Sequence, residues 1–113
     1  MKSVRLEKIS EQLRRELSVL IQQEFSETYG VITITRVYIT PDIKVSKVYF
    51  SCLDKIQEND VLMSLNKKAR YFQSIIGRKL KIKFTPVISF QIDDYQGDID
   101  NVEKLLQEIN HGA

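Results

Sequence analysis

The chain has 113 residues, of which 42% are hydrophobic and 28% charged, and its formal net charge is +2. This length predicts one compact domain over residues 1–113, with a composition ordinary for a globular protein. No apolar run approaches the roughly 20 residues that cross a bilayer, and the charged N-terminus lacks the apolar core of a signal peptide. We therefore expect a cytoplasmic protein with no membrane contact.

The first predicted element is a helix over residues 4–27, whose apolar residues recur at spacings of three and four: Ile9, Leu13, Leu17, Leu20 and Ile21. Residues 31–40 are β-branched and alternate as in a strand. Ile32 and Ile34 share one face of this strand, whereas Val37 and Ile39 share the other. A β-bulge near Thr35 and Arg36 would place both pairs on the core side.

A second strand is predicted over residues 44–52, and the short connection makes the two strands an antiparallel hairpin. Asn59 or Asp60 is a candidate N-cap for a helix over residues 61–79. Its core stripe consists of Leu62, Leu65, Ala69, Phe72 and Ile76. Residues 80–93 read as a third strand, in which Pro86 implies an edge or a bulge. A last helix over residues 101–110 opens with Asp100 and Glu103, spaced as a capping box.

These elements predict an α+β fold in which helices pack on one face of a three-stranded mixed sheet, in the order α-β-β-α-β plus a C-terminal helix. The single cysteine, Cys52, is interpreted as a small buried thiol on a strand, and it forms no internal disulfide. The single histidine, His111, lies near the C-terminus and offers no credible base for nucleophilic catalysis. We expect no catalytic residue, no metal and no cofactor.

Positive charge is concentrated in one part of the chain. Residues 61–92 contain seven basic residues and no acid, whereas residues 93–108 contain six acids and one base. The basic residues are Lys67, Lys68, Arg70, Arg78, Lys79, Lys81 and Lys83. Such a field attracts polyanions, of which nucleic acid is the usual one. The alternative is an ordinary solvated face.

Helical geometry predicts where this charge points, because each residue advances about 100° around the axis. Lys67, Arg70, Tyr71 and Arg78 fall opposite the core stripe, and Lys68 and Lys79 flank them. Lys81 and Lys83 continue the charge onto the third strand. A second candidate patch comprises Arg5, Lys8 and Arg15. Tyr38, Tyr49 and Tyr71 could stack on bases or could serve ordinary packing.

The predicted order of elements resembles that of a type II KH domain, an RNA-binding fold. A closer resemblance extends over roughly residues 5–109, in EQLRREL at 11–17, TITRVYITPDIKVSKVYFS at 33–51 and LNKKARYFQSIIGRKLKIKFTPVISFQIDD at 65–94. These segments are similar to the ribosome-binding factor A family. The resemblance implies a kinked central helix that lacks the GxxG loop of other KH domains. The family's Ala-x-Gly kink matches Lys68, Ala69 and Arg70, so Lys68 stands in place of the first alanine and Arg70 in place of the glycine.

The resemblance implies a non-catalytic factor that binds free small (30S) ribosomal subunits and 16S rRNA. It also implies a role in late maturation and 5′-end processing of 16S rRNA, importance in the cold, and an assembly GTPase as a partner. We expect a monomer.

The residues alone leave three other functions open. DDYQGDID at 93–100 could hold Mg²⁺ in a nuclease, although its spacing does not follow the EF-hand order. The acidic C-terminal segment could instead make the chain a protein–protein adaptor, and the basic face could be a general RNA-binding module.

Overall fold

The computed structural model describes residues 4–82 and 84–93. In this part of the chain, helix α1 spans Val4–Tyr29, strand β1 spans Ile32–Ile39 and strand β2 spans Val45–Cys52. A short 3₁₀ helix at Lys55–Gln57 leads into helix α2, Glu58–Leu80, which is followed by strand β3, Val87–Ile92. The predicted α-β-β-α-β order is confirmed.

The three strands form one mixed sheet in the order β1-β2-β3. Strands β1 and β2 pair antiparallel, and β2 and β3 pair parallel through the α2 crossover. The inward residues of all three strands join those of α1 and α2 in one hydrophobic core. Both helices therefore cover the same face of the sheet, and the predicted α+β class is confirmed.

The predicted β-bulge lies at Thr35. Ile34 pairs with Phe50 and Arg36 pairs with Tyr49, so Thr35 has no partner of its own on β2. The extra residue reverses the alternation of β1, and Ile34 and Ile39 are consequently both buried although an odd number of positions separates them.

The two helices run antiparallel over the sheet. The Tyr29 hydroxyl lies 3.0 Å from the Ser64 hydroxyl near one end, and Glu16 contacts Lys79 near the other. Between them Phe72 is fully buried and meets Phe25 and Phe90 edge to face, with ring centroids 6.4 and 6.3 Å apart. Burying a side chain of this size stabilises the fold by about 1.5–3 kcal/mol, so Phe72 is a central link between α1, α2 and β3.

Two predicted boundaries are wrong. Helix α2 begins at Glu58, before the predicted caps Asn59 and Asp60, because the preceding 3₁₀ turn already orders the chain. Asp54 caps that turn by accepting a hydrogen bond from the N–H of Ile56 at 3.2 Å.

The predicted third strand starts too early. Leu80 is the last residue of α2, and Lys81 ends the helix in a left-handed conformation with φ of 54°. Strand β3 begins only after the buried Pro86, which has no N–H to donate to a ladder. The proline precedes an edge strand, so the edge that it implied is confirmed.

Helix α2 is continuous through Lys68, Ala69 and Arg70, so any bend there occurs without a break, and the kink stays a prediction. Two sequence predictions lie outside the described residues: the C-terminal helix with its capping pair Asp100 and Glu103, and most of the acidic 93–108 segment. The organisation of residues 1–113 as one domain also stays a prediction. Within the described part of the chain, no helix is long and apolar enough to cross a membrane.

Candidate nucleic-acid interface

The solvent side of α2 carries the cluster of basic side chains expected from its sequence. Burial of Val61, Leu65, Phe72 and Ile76 sets which side of the helix faces the core. The remaining predicted residues of α2 and its C-cap are exposed: Lys67, Lys68, Arg70, Tyr71, Arg78, Lys79 and Lys81. We call these seven residues the α2 basic face. Lys83, also predicted for this surface, lies outside the described residues.

Two arginines of the α2 basic face differ in how they are held. Arg78 donates from Nε to the carbonyl oxygen of Ser74 at 3.4 Å and from Nη2 to the Ser74 hydroxyl at 3.2 Å. These bonds fix the guanidinium along the helix and leave its other N–H groups for a ligand. Arg70 has no ion pair or side-chain hydrogen bond with any described residue. The two arginines are eight residues apart, about 12 Å along the axis.

Tyr71 and Lys68 form a cation–aromatic pair on the same face. The Lys68 ammonium lies 5.1 Å from the centroid of the Tyr71 ring, and Tyr71 is 49% exposed. This distance is within the range of an attractive cation–π contact. The pair presents an aromatic surface and a positive charge side by side, which suits both the base and the phosphate of a nucleotide.

Lys79 forms an ion pair within the fold. Its ammonium lies 2.8 Å from a carboxylate oxygen of Glu16 on α1, whose side chain is only 22% exposed. The ion pair joins the C-terminal end of α2 to the middle of α1 and offsets part of the Lys79 charge. Lys79 is therefore a weaker candidate for phosphate contact than Arg70 or Arg78.

The antiparallel packing of the helices brings the second predicted patch next to the α2 basic face. Arg5, Lys8 and Arg15 are exposed on the N-terminal half of α1, which lies beside the C-terminal end of α2. Arg15 is 3.9 Å from Glu11, whose pKa is lowered chiefly by its hydrogen bond from Arg14. Part of the Arg15 charge is thereby offset, whereas no ion pair of Lys8 occurs among the described residues.

The sequence did not single out two cations, Arg36 and Lys47, on the face of the sheet opposite α1 and α2. The Arg36 guanidinium lies 4.1 Å from the centroid of the Tyr49 ring, and Lys47 is the cross-strand partner of Tyr38. Only the strand register, including the bulge, brings these residues together. The Arg36 guanidinium covers one face of the Tyr49 ring, so that face serves packing within the sheet.

A cleft adjoins the α2 basic face, and the sequence pattern did not predict it. Arg70, Ser74 and Arg78 form one wall, and the segment that connects α2 to β3 forms the other, including Phe84 and Thr85. Its volume is about 630 Å³. Because the sequence pattern predicts a strand through residues 82–85, it gives no signal for a cleft at this point.

No group of three or more His, Cys, Asp or Glu side chains within residues 4–82 and 84–93 is arranged to hold a metal ion. Of the aspartate-rich 93–100 segment, only Asp93 is described, and it is buried against Thr35 and Arg36. The predicted absence of a metal and of a cofactor stays a prediction for the chain as a whole.

The order of elements, the mixed sheet and the two helices on one face define a KH-like α+β protein. The fold is similar to the crystal structure of ribosome-binding factor A from Thermus thermophilus, with a TM-score of 0.69 and 22% identity over 77% of this chain and 94% of that chain. It is also similar to a homology model of the Thermus thermophilus factor fitted into the cryo-electron-microscopy map of its 30S complex. That match has a TM-score of 0.64 and 23% identity, and covers 73% of this chain and 88% of that chain.

Residues 5–106 match the family model described as Ribosome-binding factor A. The chain belongs to this family, whose members are non-catalytic ribosome-assembly factors. The family predicted from the segments at 11–17, 33–51 and 65–94 is confirmed.

Proposed function

We propose that this protein binds the free small ribosomal subunit through 16S rRNA and assists the late maturation of that rRNA, including processing of its 5′ end, most of all in the cold. Three observations support the proposal: membership of the ribosome-binding factor A family, the similar Thermus thermophilus factor in a 30S complex, and the α2 basic face. Such a factor acts in the cytoplasm as a monomer, and an assembly GTPase is proposed as a partner in its release.

The α2 basic face is the observation that carries the choice of surface. Helix α2 contains no acid after Asp60, so its cations are not balanced by neighbours at i,i+3 or i,i+4. The repulsion between them does nothing for the fold, which points to an external anion as their partner. The exposed Arg5 and Lys8 extend this positive surface onto α1.

Contacts of this kind bind the phosphate backbone and position the protein without reading sequence. Specificity for the small subunit would then arise from the shape of the folded rRNA and from unpaired nucleotides that it presents. Because each neutralised phosphate releases counterions, affinity is expected to fall steeply as salt rises.

The first test is co-sedimentation of the protein with separated small and large ribosomal subunits across a salt series. We expect binding to the small subunit alone, and loss of binding when Arg70→Glu and Arg78→Glu are combined. The matched control is Lys44→Glu with Lys47→Glu, which changes the net charge equally on lysines outside the α2 basic face. Circular dichroism first establishes that both double variants are folded.

The outcomes separate the competing functions. Equal binding to both subunits would indicate a general RNA-binding module. Small-subunit binding that survives charge reversal at Arg70 and Arg78 would refute the α2 basic face and favour a protein–protein adaptor that uses its acidic segment. Loss of binding in the control pair as well would show that only total charge matters.

A further inference from the structure

One end of the fold exposes large apolar side chains. Leu53 and Ile56 are 81% and 91% exposed, and Val31 is exposed as well. The Leu53 N–H donates to the Val31 carbonyl oxygen at 3.1 Å, so these two residues lie side by side where β1 begins and β2 ends. Ile56 follows on the 3₁₀ turn. We call these three residues the apolar tip. They gain almost nothing from the hydrophobic core, and exposed apolar groups of this kind are typical of an interaction surface.

The turn that carries the apolar tip is held in place by specific contacts. The Asp54 side chain accepts a hydrogen bond from the Ile56 N–H at 3.2 Å. The Glu58 carboxylate accepts from the Cys52 N–H and pairs with the Lys55 ammonium, both at 3.4 Å. Ile56 is therefore presented on an ordered turn, which lowers the entropy that binding a partner would cost.

The charges around the apolar tip are mostly negative. The hydroxyl contact between Tyr29 and Ser64 brings the C-terminal end of α1 to the N-terminal part of α2, so residues 18–35 and 49–66 share this end of the fold. Together they contain five acids and one base. The acids are Glu24, Glu27, Asp54, Glu58 and Asp60, and the base is Lys55. The α2 basic face begins beyond this end, so the apolar tip repels polyanions and attracts a positively charged partner.

We propose that the apolar tip docks a basic protein of the small ribosomal subunit, which places apolar side chains against Val31, Leu53 and Ile56. Apolar contacts form the centre of such an interface, and the surrounding acids pair with cations of the partner. A second copy of this chain does not fit, because a two-fold interface would bring two acidic ends together. The inference rests on the proposed function and deepens it, because it adds a protein contact at the end of the molecule away from the RNA-binding surface.

Photo-crosslinking identifies what the apolar tip meets. The full chain with p-benzoylphenylalanine in place of Ile56 is bound to purified small subunits and irradiated, and the products are identified by mass spectrometry. We expect a covalent product with a basic ribosomal protein. The control carries the same residue in place of Val87, which is exposed at the start of β3, at the opposite end of the sheet from the tip, and it should not form this product.

A pair of substitutions that leaves the net charge unchanged measures the contribution of the tip. Leu53→Ser combined with Ile56→Ser should weaken binding to small subunits by roughly tenfold or more, and leave binding to isolated 16S rRNA nearly unchanged. The matched control, Val19→Ser with Val87→Ser, alters two apolar residues that are exposed elsewhere and should keep both affinities. Thermal melting first establishes that both double variants are folded.

The results that would overturn the inference are distinct from those that would overturn the proposed function. A crosslink from position 56 to 16S rRNA, or to a second copy of this chain, would assign the tip a different partner. If the serine pair at 53 and 56 binds subunits as tightly as the wild type, the tip is not a docking site, and the proposed RNA-binding surface stands. If the wild type binds neither subunits nor isolated rRNA, the proposed function fails, and the inference fails with it.

Discussion

The hydroxyl of Thr35, the bulge residue of β1, donates a hydrogen bond to Oδ2 of Asp93, which follows β3. This contact spans the sheet, because β2 lies between the two strands. The N–H of Asp93 donates to the carbonyl oxygen of Phe50 at 2.7 Å, and its Oδ1 lies 3.8 Å from the Arg36 guanidinium. Asp93 is 6% exposed, so it belongs to the fold although it opens the acidic segment of the sequence.

Replacing Asp93 should therefore destabilise the protein. We expect Asp93→Ala to lower the free energy of unfolding by about 1–3 kcal/mol, measured by urea denaturation, because both the hydrogen bond and the ion pair are lost. Thr35→Val should also destabilise, since it leaves the buried carboxylate without its donor. Glu24→Ala, at an exposed acid of α1, is the control. Equal stability of all three variants would contradict the link between β1 and β3.

Gly77→Ala should destabilise the protein by about 1–3 kcal/mol, because the new methyl group would overlap the Thr85 hydroxyl. The same substitution in an open helix position stabilises by up to about 1 kcal/mol. In a Thr85→Ala background the overlap is removed, and the hydrogen bond from the Gln73 side chain to the backbone carbonyl oxygen of residue 85 remains. Gly77→Ala should then become neutral or stabilising. A double-mutant cycle in urea measures this change of sign, and purely additive effects would refute the steric explanation.

Glu16→Gln should increase RNA affinity modestly, because it releases the Lys79 ammonium from its 2.8 Å ion pair. The expected gain is roughly two- to fivefold at low salt, since partly exposed ion pairs of this kind contribute about 0–1 kcal/mol. The control is Glu24→Gln, which makes the same change of net charge near the other end of α1. Equal gains from both substitutions would show that net charge, and not release of Lys79, is responsible.

Cys52 should make the stability of the protein fall at alkaline pH. Burial raises the pKa of this thiol, and the Glu58 carboxylate nearby adds to the rise. The unfolded chain therefore loses the thiol proton first as pH increases, and stability declines once pH exceeds the ordinary value of about 8.5. Urea midpoints from pH 7 to pH 10 should fall more steeply for the wild type than for Cys52→Ala. Parallel curves would show that Cys52 does not contribute.

Local sequence patterns determined most of the architecture. The three- and four-residue spacing of apolar side chains placed α1 within two residues of its C-terminal end, since a long amphipathic helix buries one stripe whatever it packs against. The reversed alternation of Ile34 and Ile39 predicted the bulge for a similar reason, because β-strand geometry leaves no other way to bury both. The position of Arg70 and Arg78 away from the core followed from the same helical period.

Tertiary structure decided the features for which local patterns were ambiguous. Leu80 continues both an alternating strand pattern and the helical stripe from Ile76, and packing on the sheet selected the helix. The antiparallel pairing of α1 and α2 matched Lys79 with Glu16, a contact between residues far apart in the chain. The pairing of β3 with β2 placed Asp93 beside Thr35, and the Gly77–Thr85 contact set Phe84 at the cleft. Each of these outcomes depends on contacts between residues that are far apart in the chain. A short stretch of sequence does not determine which distant residues it will meet.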